Sequence, residues 1–228
     1  LVAVTPTGAN SATELYNNGT MNLIVAADGK VVPTGEVYLN NDTGGVMIID
    51  VAGTVVYDEN VGTLSVYNYS DIKSFAMTVS GTVDLYDFWD SGDSGMTTVT
   101  GTLTLGYYSQ FNTLNVTGTG TVTGALYEDV GHGYVDINTL TVSDSAKVLL
   151  GAYSEIWTAT VSGNATLGLY VPAAAGIGAS ADLKNYVSVE TLTVGTASQQ
   201  LAENVNGATV NVYLGYYENV SGTNVAVG

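Results

Sequence analysis

The sequence contains no cysteine and no arginine, and its only basic side chains are four lysines, Lys30, Lys73, Lys147 and Lys184. The absence of cysteine excludes disulfides, thiolate metal sites and a thiol nucleophile. A formal net charge of −17 without arginine disfavours nucleic acid and anionic membrane surfaces as partners, because both recognise clustered basic side chains. No apolar run approaches the roughly 18 residues of a spanning helix, so we expect no membrane insertion.

Charged residues are also scarce, at 11% of the 228 residues, against about a quarter in an average protein. Threonine, glycine, valine and tyrosine take their place, which is the composition of strands and turns and predicts an all-β fold. The chain begins at Leu1 without a basic and then apolar leader. We therefore expect the mature form of a secreted protein, with its signal removed, located outside the cell or at its surface.

A repeated unit fills most of the chain, and residues 101–120, GTLTLGYYSQFNTLNVTGTG, give its full form. Each unit opens with a small residue, usually followed by Thr or Val, and then alternates apolar and polar residues. Such openings recur at 53, 62, 81, 101, 120, 146, 165 and 208. A second alternating run follows each opening, as in FAMTVSG at 75–81, INTLTVS at 137–143 and VETLTVG at 189–195. One unit is thus a strand, a bend rich in tyrosine and acids, a second strand and a glycine turn. A period of about 20 residues is typical of stacked repeats.

Each run alternates apolar and polar residues with period 2, so one face is expected to be buried and the other solvated. In the opening unit, Leu103 and Leu105 are predicted to point inward with Leu114 and Val116. A single unit buries too little apolar area to fold alone, which favours stacking. We predict a β-solenoid of stacked β-arches, with an antiparallel meander or a β-sandwich as the alternative.

Two regions depart from this period. Residues 1–52 contain Pro6, Pro33 and several turn signals, and we interpret them as an N-terminal cap or assembly arm preceding a repeat domain over 53–228. The small-residue segment near 171–188 is predicted to be an inserted loop. It could serve as a subunit contact or as a surface loop.

The search for chemistry predicts no catalytic, cofactor-binding or metal-binding residue, and hence no enzyme and no cofactor. His132 is the only histidine, and a metal triad needs more than one. Asp84, Asp87, Asp90 and Asp93 are spaced by three residues, which alternates faces in a strand. A calcium loop in this segment is the alternative to a solvated bend.

Tyrosine and asparagine carry the remaining signals. Stacked units would align the bend tyrosines into aromatic ladders; those predicted to do so are Tyr107, Tyr108, Tyr127, Tyr153, Tyr170, Tyr216 and Tyr217. Six N-x-S/T sequons are candidate glycosylation sites, at Asn18, Asn41, Asn68, Asn115, Asn164 and Asn219.

The units at 101–120 and AKVLLGAYSEIWTATVSGNA at 146–165 resemble repeats of secreted prokaryotic cell-envelope proteins. The resemblance covers about 53–228, is one of composition and period, and is nearest to the amyloid-like sheath proteins of filamentous methanogenic archaea. It implies an extracellular tube built from self-associating β-subunits.

These observations favour a structural subunit that self-assembles by edge-to-edge β association into an extracellular sheath, filament or surface layer. Its expected partner is itself. The alternative is an adhesin or carbohydrate-binding surface module that binds cell-surface glycans through an aromatic stripe including Trp89 and Trp157.

Overall fold

A computed structural model describes residues 12–57, 61–70, 75–92, 95–124, 134–150, 154–172, 187–194, 211–220 and 223–226, with side-chain surroundings as far as residue 168. Within these ranges the regular structure consists of 19 β-strands and no helix. The strands are β1 (Thr13–Asn17), β2 (Thr20–Val25), β3 (Lys30–Val31), β4 (Gly35–Asn41), β5 (Val46–Val51), β6 (Thr54–Val55), β7 (Gly62–Asn68), β8 (Phe75–Val79), β9 (Thr82–Asp90), β10 (Met96–Val99), β11 (Thr102–Val116), β12 (Thr121–Gly124), β13 (Tyr134–Val142), β14 (Lys147–Leu150), β15 (Ser154–Val161), β16 (Thr166–Pro172), β17 (Val187–Val194), β18 (Asn211–Val220) and β19 (Thr223–Ala226).

Strands β1 to β18 stack in parallel into a β-solenoid with three sides, which confirms the predicted fold class. Side A contains β3, β6, the start of β9, the start of β11, β12, β14, β16 and the start of β18. Side B contains β1, β4, β7, the end of β9, the middle of β11 and the first halves of β13, β15 and β17. Side C contains β2, β5, β8, β10, the end of β11 and the second halves of β13, β15 and β17. The chain runs from A to B to C in each turn.

Period-2 alternation places the core on the solenoid axis. Leu103, Leu114 and Val116 have no exposed surface and Leu105 has 2%, as their alternation with threonine predicts. The same inward positions of neighbouring turns carry Val, Ile, Leu, Met and Phe, which form one continuous buried cluster. Parallel pairing in register therefore places apolar side chains of one turn on apolar side chains of the next along the axis.

The bend of the predicted unit is itself a strand, and this corrects the two-strand description. Tyr108, Ser109 and Gln110 pair in parallel with β9 on one edge, and the same three residues pair with β13 on the other. β11 reaches this third side through a register shift between Leu105 and Tyr108. Gly106 lies in that shift, where an added Cβ would come within 2.7 Å of the Tyr57 hydroxyl. Strand, bend and strand are thus the three sides of one turn.

The small residue that opens each unit lies at the corner between sides C and A. A Cβ on Gly81 would approach the Gly53 carbonyl oxygen to 1.9 Å, and one on Gly101 would approach the Gly81 oxygen to 2.1 Å. Backbone of the preceding turn therefore occupies the space of a side chain. In later turns the same corner has room for alanine, since Ala146 and Ala165 are fully buried there.

Residues 12–52 belong to the same stack as the repeat. β4 pairs with β7, β5 with β8 and β3 with β6, all in parallel and across the predicted boundary at residue 52. The irregular period of this region therefore reflects longer turns and no change of fold, and its role as a cap or assembly arm stays a prediction. The inserted loop predicted near 171–188 falls between β16 and β17, and residues 173–186 lie outside the described residues.

Candidate functional site

The acidic residues considered for calcium do not converge. Asp84 lies on side A, Asp87 lies on side B, and Asp90 is buried at the corner between sides B and C. Asp93 and His132 lie outside the described residues. In the part of the chain that the structure describes, no group of three or more His, Cys, Asp or Glu side chains is placed to hold a metal ion.

A ladder of amide side chains runs through the corner between sides B and C. Asn17 Nδ2 donates to Asn41 Oδ1 at 2.7 Å, Asn41 Nδ2 donates to Asn68 Oδ1 at 2.8 Å, and Asn68 Nδ2 donates to Asp90 Oδ1 at 2.8 Å. All four side chains are buried, with 7%, 0%, 1% and 1% of their surface exposed. We call this set the corner ladder. It joins four successive turns through side chains alone.

The corner ladder also satisfies the backbone where the chain turns. Asn17 donates to the Val46 carbonyl at 2.8 Å and Asn41 donates to the Gly45 carbonyl at 3.2 Å. Asn17 Oδ1 accepts from the Gly19 amide at 3.1 Å, and Asn68 Oδ1 accepts from Ser70 at 3.3 Å. These side-chain amides thus form hydrogen bonds with backbone groups that the corner would otherwise leave unpaired.

Sequence reasoning missed the corner ladder, although a signal existed. The segments LYNNG, YLNND, VYNYS and FWDSG each place Asn or Asp at the end of a side B strand. Asn41 and Asn68 were considered only as sequons, yet both side chains are buried and hydrogen-bonded. A glycan on either would require this corner to open, whereas Asn18 and Asn164 are exposed.

Asp90 ends the corner ladder with a carboxylate in a buried position. Its Oδ2 atom is buried without a hydrogen-bond partner. Burial raises the pKa of this carboxyl group, although hydrogen bonds from Asn68 and from the Gly92 and Asn112 backbone act in the opposite direction. The folded state therefore binds a proton at Asp90 more tightly than the unfolded chain does.

This proton linkage gives a prediction about pH. Between the ordinary aspartate pKa and the raised value, the folded state holds more protons than the unfolded state, so stability falls as pH rises through that window. We expect Asp90→Asn to remove this dependence and to raise the free energy of unfolding at pH 7, because a neutral amide replaces a buried carboxylate whose charged form burial disfavours. Urea titrations at several pH values measure both effects.

Asp144 is the matched control, because its pKa shifts the other way. Its carboxylate accepts from the Thr117 hydroxyl at 2.6 Å and the Gly118 amide at 3.0 Å, and these bonds lower its pKa. Its contribution is lost only as pH falls through that lowered value. Asp144→Asn should therefore leave the slope between mildly acidic and neutral pH unchanged, and an Asp90→Asn variant with the wild-type slope would contradict the assignment.

Aromatic ladders form along side B, as predicted for its tyrosines. Trp89 stacks on Tyr108 with ring centres 5.1 Å apart, and Tyr108 stacks on Tyr134 at 5.2 Å. A second column joins Tyr86 and Tyr107 at 6.0 Å. Of the other tyrosines named above, Tyr127 and Tyr153 lie outside the described residues, as do the side chains of Tyr170, Tyr216 and Tyr217. Trp157 is 50% exposed on a different column.

Acidic side chains lie beside these rings and make side B electronegative. Asp87 accepts from the Tyr67 hydroxyl at 3.2 Å and the Tyr108 amide at 3.1 Å, and burial raises its pKa. Asp136 faces Glu155 in the next turn, and burial and then this carboxylate raise the pKa of Asp136. Burial and nearby acids also raise the pKa of Tyr134 to about 12. Side B therefore combines aromatic surface with negative charge.

The N-terminal end of the solenoid is open among the described residues. Along one inward column the exposed fraction falls from 36% at Leu15 to 6% at Leu39, 1% at Val66 and 0% at Phe88. In the described part of the chain, β1 pairs only with β4, and β2 pairs only with β5. This end, which we call the open end, thus presents both unpaired backbone and part of the core.

The C-terminal end differs from the open end. β18 follows β16 on side A in parallel, and β19 then returns antiparallel to β18, pairing Tyr217 with Ala226. Over residues 217–220 the last strand of side A is therefore paired with β19 and is not a bare parallel edge. Within the described residues, the second half of β17 on side C pairs only with β15.

Comparison with known proteins identifies no relative: no family model, no curated protein and no solved structure matches this chain. In the described ranges, no helix has the length and apolar character to cross a membrane.

Proposed function

We propose that this chain is a structural subunit that assembles head to tail by β-strand pairing into an extracellular sheath, filament or surface layer. The observation that carries the proposal is the open end, where Leu15 retains 36% of its exposure and β1 and β2 have no described partner on one edge. Soluble β proteins protect such edges with lysine or proline. Residues 13–25 contain neither.

The two ends complement each other along the chain path. β1 on side B is the first described strand, and β18 adds a side A strand after β17 at the other end. A neighbour docked in the same orientation would therefore continue the order A, B, C, with its β2 following β17 on side C. A contact of this kind joins two different surfaces, so it propagates into a filament unless the rotation closes a ring.

The direction of individual backbone groups allows a selective test. The Val25 carbonyl accepts from the Ala52 amide and so points toward β5. Because backbone groups alternate sides along a strand, those of Ile24 and Asn22 point to the unpaired edge. Proline at position 22 would remove an amide from that edge without removing a hydrogen bond to β5. Strands tolerate proline at such positions, where the amide faces away from the sheet.

Asn22→Pro is expected to raise the concentration needed for assembly about tenfold or more, since a lost hydrogen bond and the clash of the ring together exceed about 1.4 kcal/mol. Its melting temperature should stay close to that of the wild type. Light scattering with negative-stain electron microscopy measures assembly, and Asn22→Ala, which keeps the amide, is the control. Equal assembly by Asn22→Pro would show that this edge is not the contact.

The adhesin alternative is supported by one observation, the stack of Trp89, Tyr108 and Tyr134 beside Asp87 and Asp136 on side B. Aromatic faces with neighbouring hydrogen-bonding groups are suited to sugar rings. A wild-type chain that stays monomeric at all concentrations and binds glycans, with binding lost in Trp89→Ala, would favour this function over assembly.

A further inference from the structure

Among the described residues, side C carries the fewest charged outward side chains of the three sides. From β2 to β15 its outward residues are Thr, Asn, Val, Ile, Ala and Met, with Asp50 as the one charged residue among those described. Side A presents Lys30, Asp84 and Lys147. Side B presents Glu14, Glu36, Asp87, Asp136 and Glu155. In a chain with a net charge of −17, an almost uncharged side needs a physical reason.

Large apolar side chains are exposed on this side at its N-terminal half. Ile24 is 71% exposed, Ile48 is 43% exposed and Met96 is 46% exposed. Single exposed apolar residues are ordinary. Here Ile48, Ala76 and Met96 occupy one column on three consecutive strands of side C, and Ile24 lies one column over on β2, so together they form an apolar patch.

Threonine forms a regular array on the other half of side C. Thr113, Thr139 and Thr158 occupy one column in register, and Thr141 and Thr160 occupy the column beside it. β-Branched side chains are stiff at χ1, so these hydroxyl and methyl groups lose little entropy when covered. The array suits a close contact with another flat surface.

We propose that side C is a lateral interface on which a second copy of this chain packs, side C against side C. Contact between identical sides brings like charges together, which side B with its five acids would oppose and side C permits. This contact is distinct from the head-to-tail contact at the open end and does not depend on it. Together the two contacts would pair two head-to-tail filaments along their length, because a contact between identical sides is complete once two copies have joined.

The size of side C indicates how strong the contact is. Eight strands spaced about 4.8 Å apart, with two outward columns about 7 Å apart, give a face of about 400–500 Å² on each copy. Stable complexes bury about 800 Å² per partner. A single pair should therefore be weak, and many aligned pairs in an assembly should bind strongly through multivalency.

Cross-linking tests a weak contact directly, and the lack of cysteine makes single-cysteine variants clean reporters. Thr139→Cys places a thiol on side C, and Thr102→Cys places one on side A; both threonines are exposed. Each is made in the Asn22→Pro background and treated with a flexible bismaleimide at physiological ionic strength. We expect several times more cross-linked dimer from Thr139→Cys than from Thr102→Cys.

Adding Ile48→Lys and Thr158→Lys to the Thr139→Cys chain should reduce its dimer yield to that of Thr102→Cys. The proposal is overturned if Thr139→Cys and Thr102→Cys give equal yields, or if the two lysines leave the yield unchanged. Head-to-tail assembly is measured separately by microscopy of the wild type, so either contact can fail while the other stands.

Discussion

Asn41→Leu is expected to lower the free energy of unfolding by about 3–5 kcal/mol, because three buried polar groups each lose a hydrogen bond and such losses cost about 1–3 kcal/mol each. Asn41 accepts from Asn17 Nδ2 and donates to Asn68 Oδ1 and the Gly45 carbonyl. Leucine has nearly the same size and no hydrogen-bonding group. The Asn17 amide, the Asn68 side-chain oxygen and the Gly45 carbonyl would then each lose the Asn41 partner in a buried corner.

Urea denaturation monitored by circular dichroism measures this loss, with the slope m reporting whether unfolding stays cooperative. Asn18→Ala is the matched control, since Asn18 is the sequon asparagine that precedes Asn41 in the chain and its side chain is exposed. A surface change of this kind should stay within about 0.5 kcal/mol. A loss below about 1 kcal/mol for Asn41→Leu would mean that the corner ladder does not hold the turns together.

The corner ladder marks where sequence reasoning stopped. The alternation of Leu103 and Leu105 with threonine predicted the buried column, because a strand has only two faces. The signal at Asn41, an Asn or Asp at the end of each side B strand, is ambiguous, since an asparagine near glycine is as typical of a solvated turn as of a buried corner. Its burial depends on Asn17 and Asn68, which lie 24 and 27 residues away. Only the stacking register brings them together.

The same limit explains the missed third side. Tyr107 and Tyr108 follow Gly106, and a glycine that interrupts a strand pattern suggests a bend. In the fold Gly106 gives only a local register shift, and Tyr108 continues as a strand because Trp89 and Tyr134 stack on its two faces. The period of about 20 residues predicted stacking, but it contains no information on how many sides a turn has.

Phe88→Ala should lower the free energy of unfolding by about 3–5 kcal/mol, the usual range for a large aromatic side chain removed from a core. The Phe88 side chain is fully buried, with its ring centre 4.4 Å from that of Phe111 and 5.6 Å from that of Phe75. These three rings belong to successive turns, so Phe88 is the central contact of an aromatic column on the axis. Its removal leaves a cavity between two turns that backbone pairing holds at a fixed spacing and that cannot collapse.

Trp89→Ala is the control for Phe88→Ala, because Trp89 is the adjacent residue in β9, points outward and is only half-buried. Trp89→Ala should lower the free energy of unfolding by clearly less than Phe88→Ala, although it also removes a ring that stacks on Tyr108. In a solenoid each turn contacts only its neighbours. The destabilisation caused by Phe88→Ala should therefore be largest in the turns next to Phe88 and smaller in distant turns. Hydrogen exchange is expected to speed up first in β7, β9 and β11 and to leave β13 and β15 protected. Uniform loss of protection over all described strands would instead show that the stack unfolds as one cooperative unit.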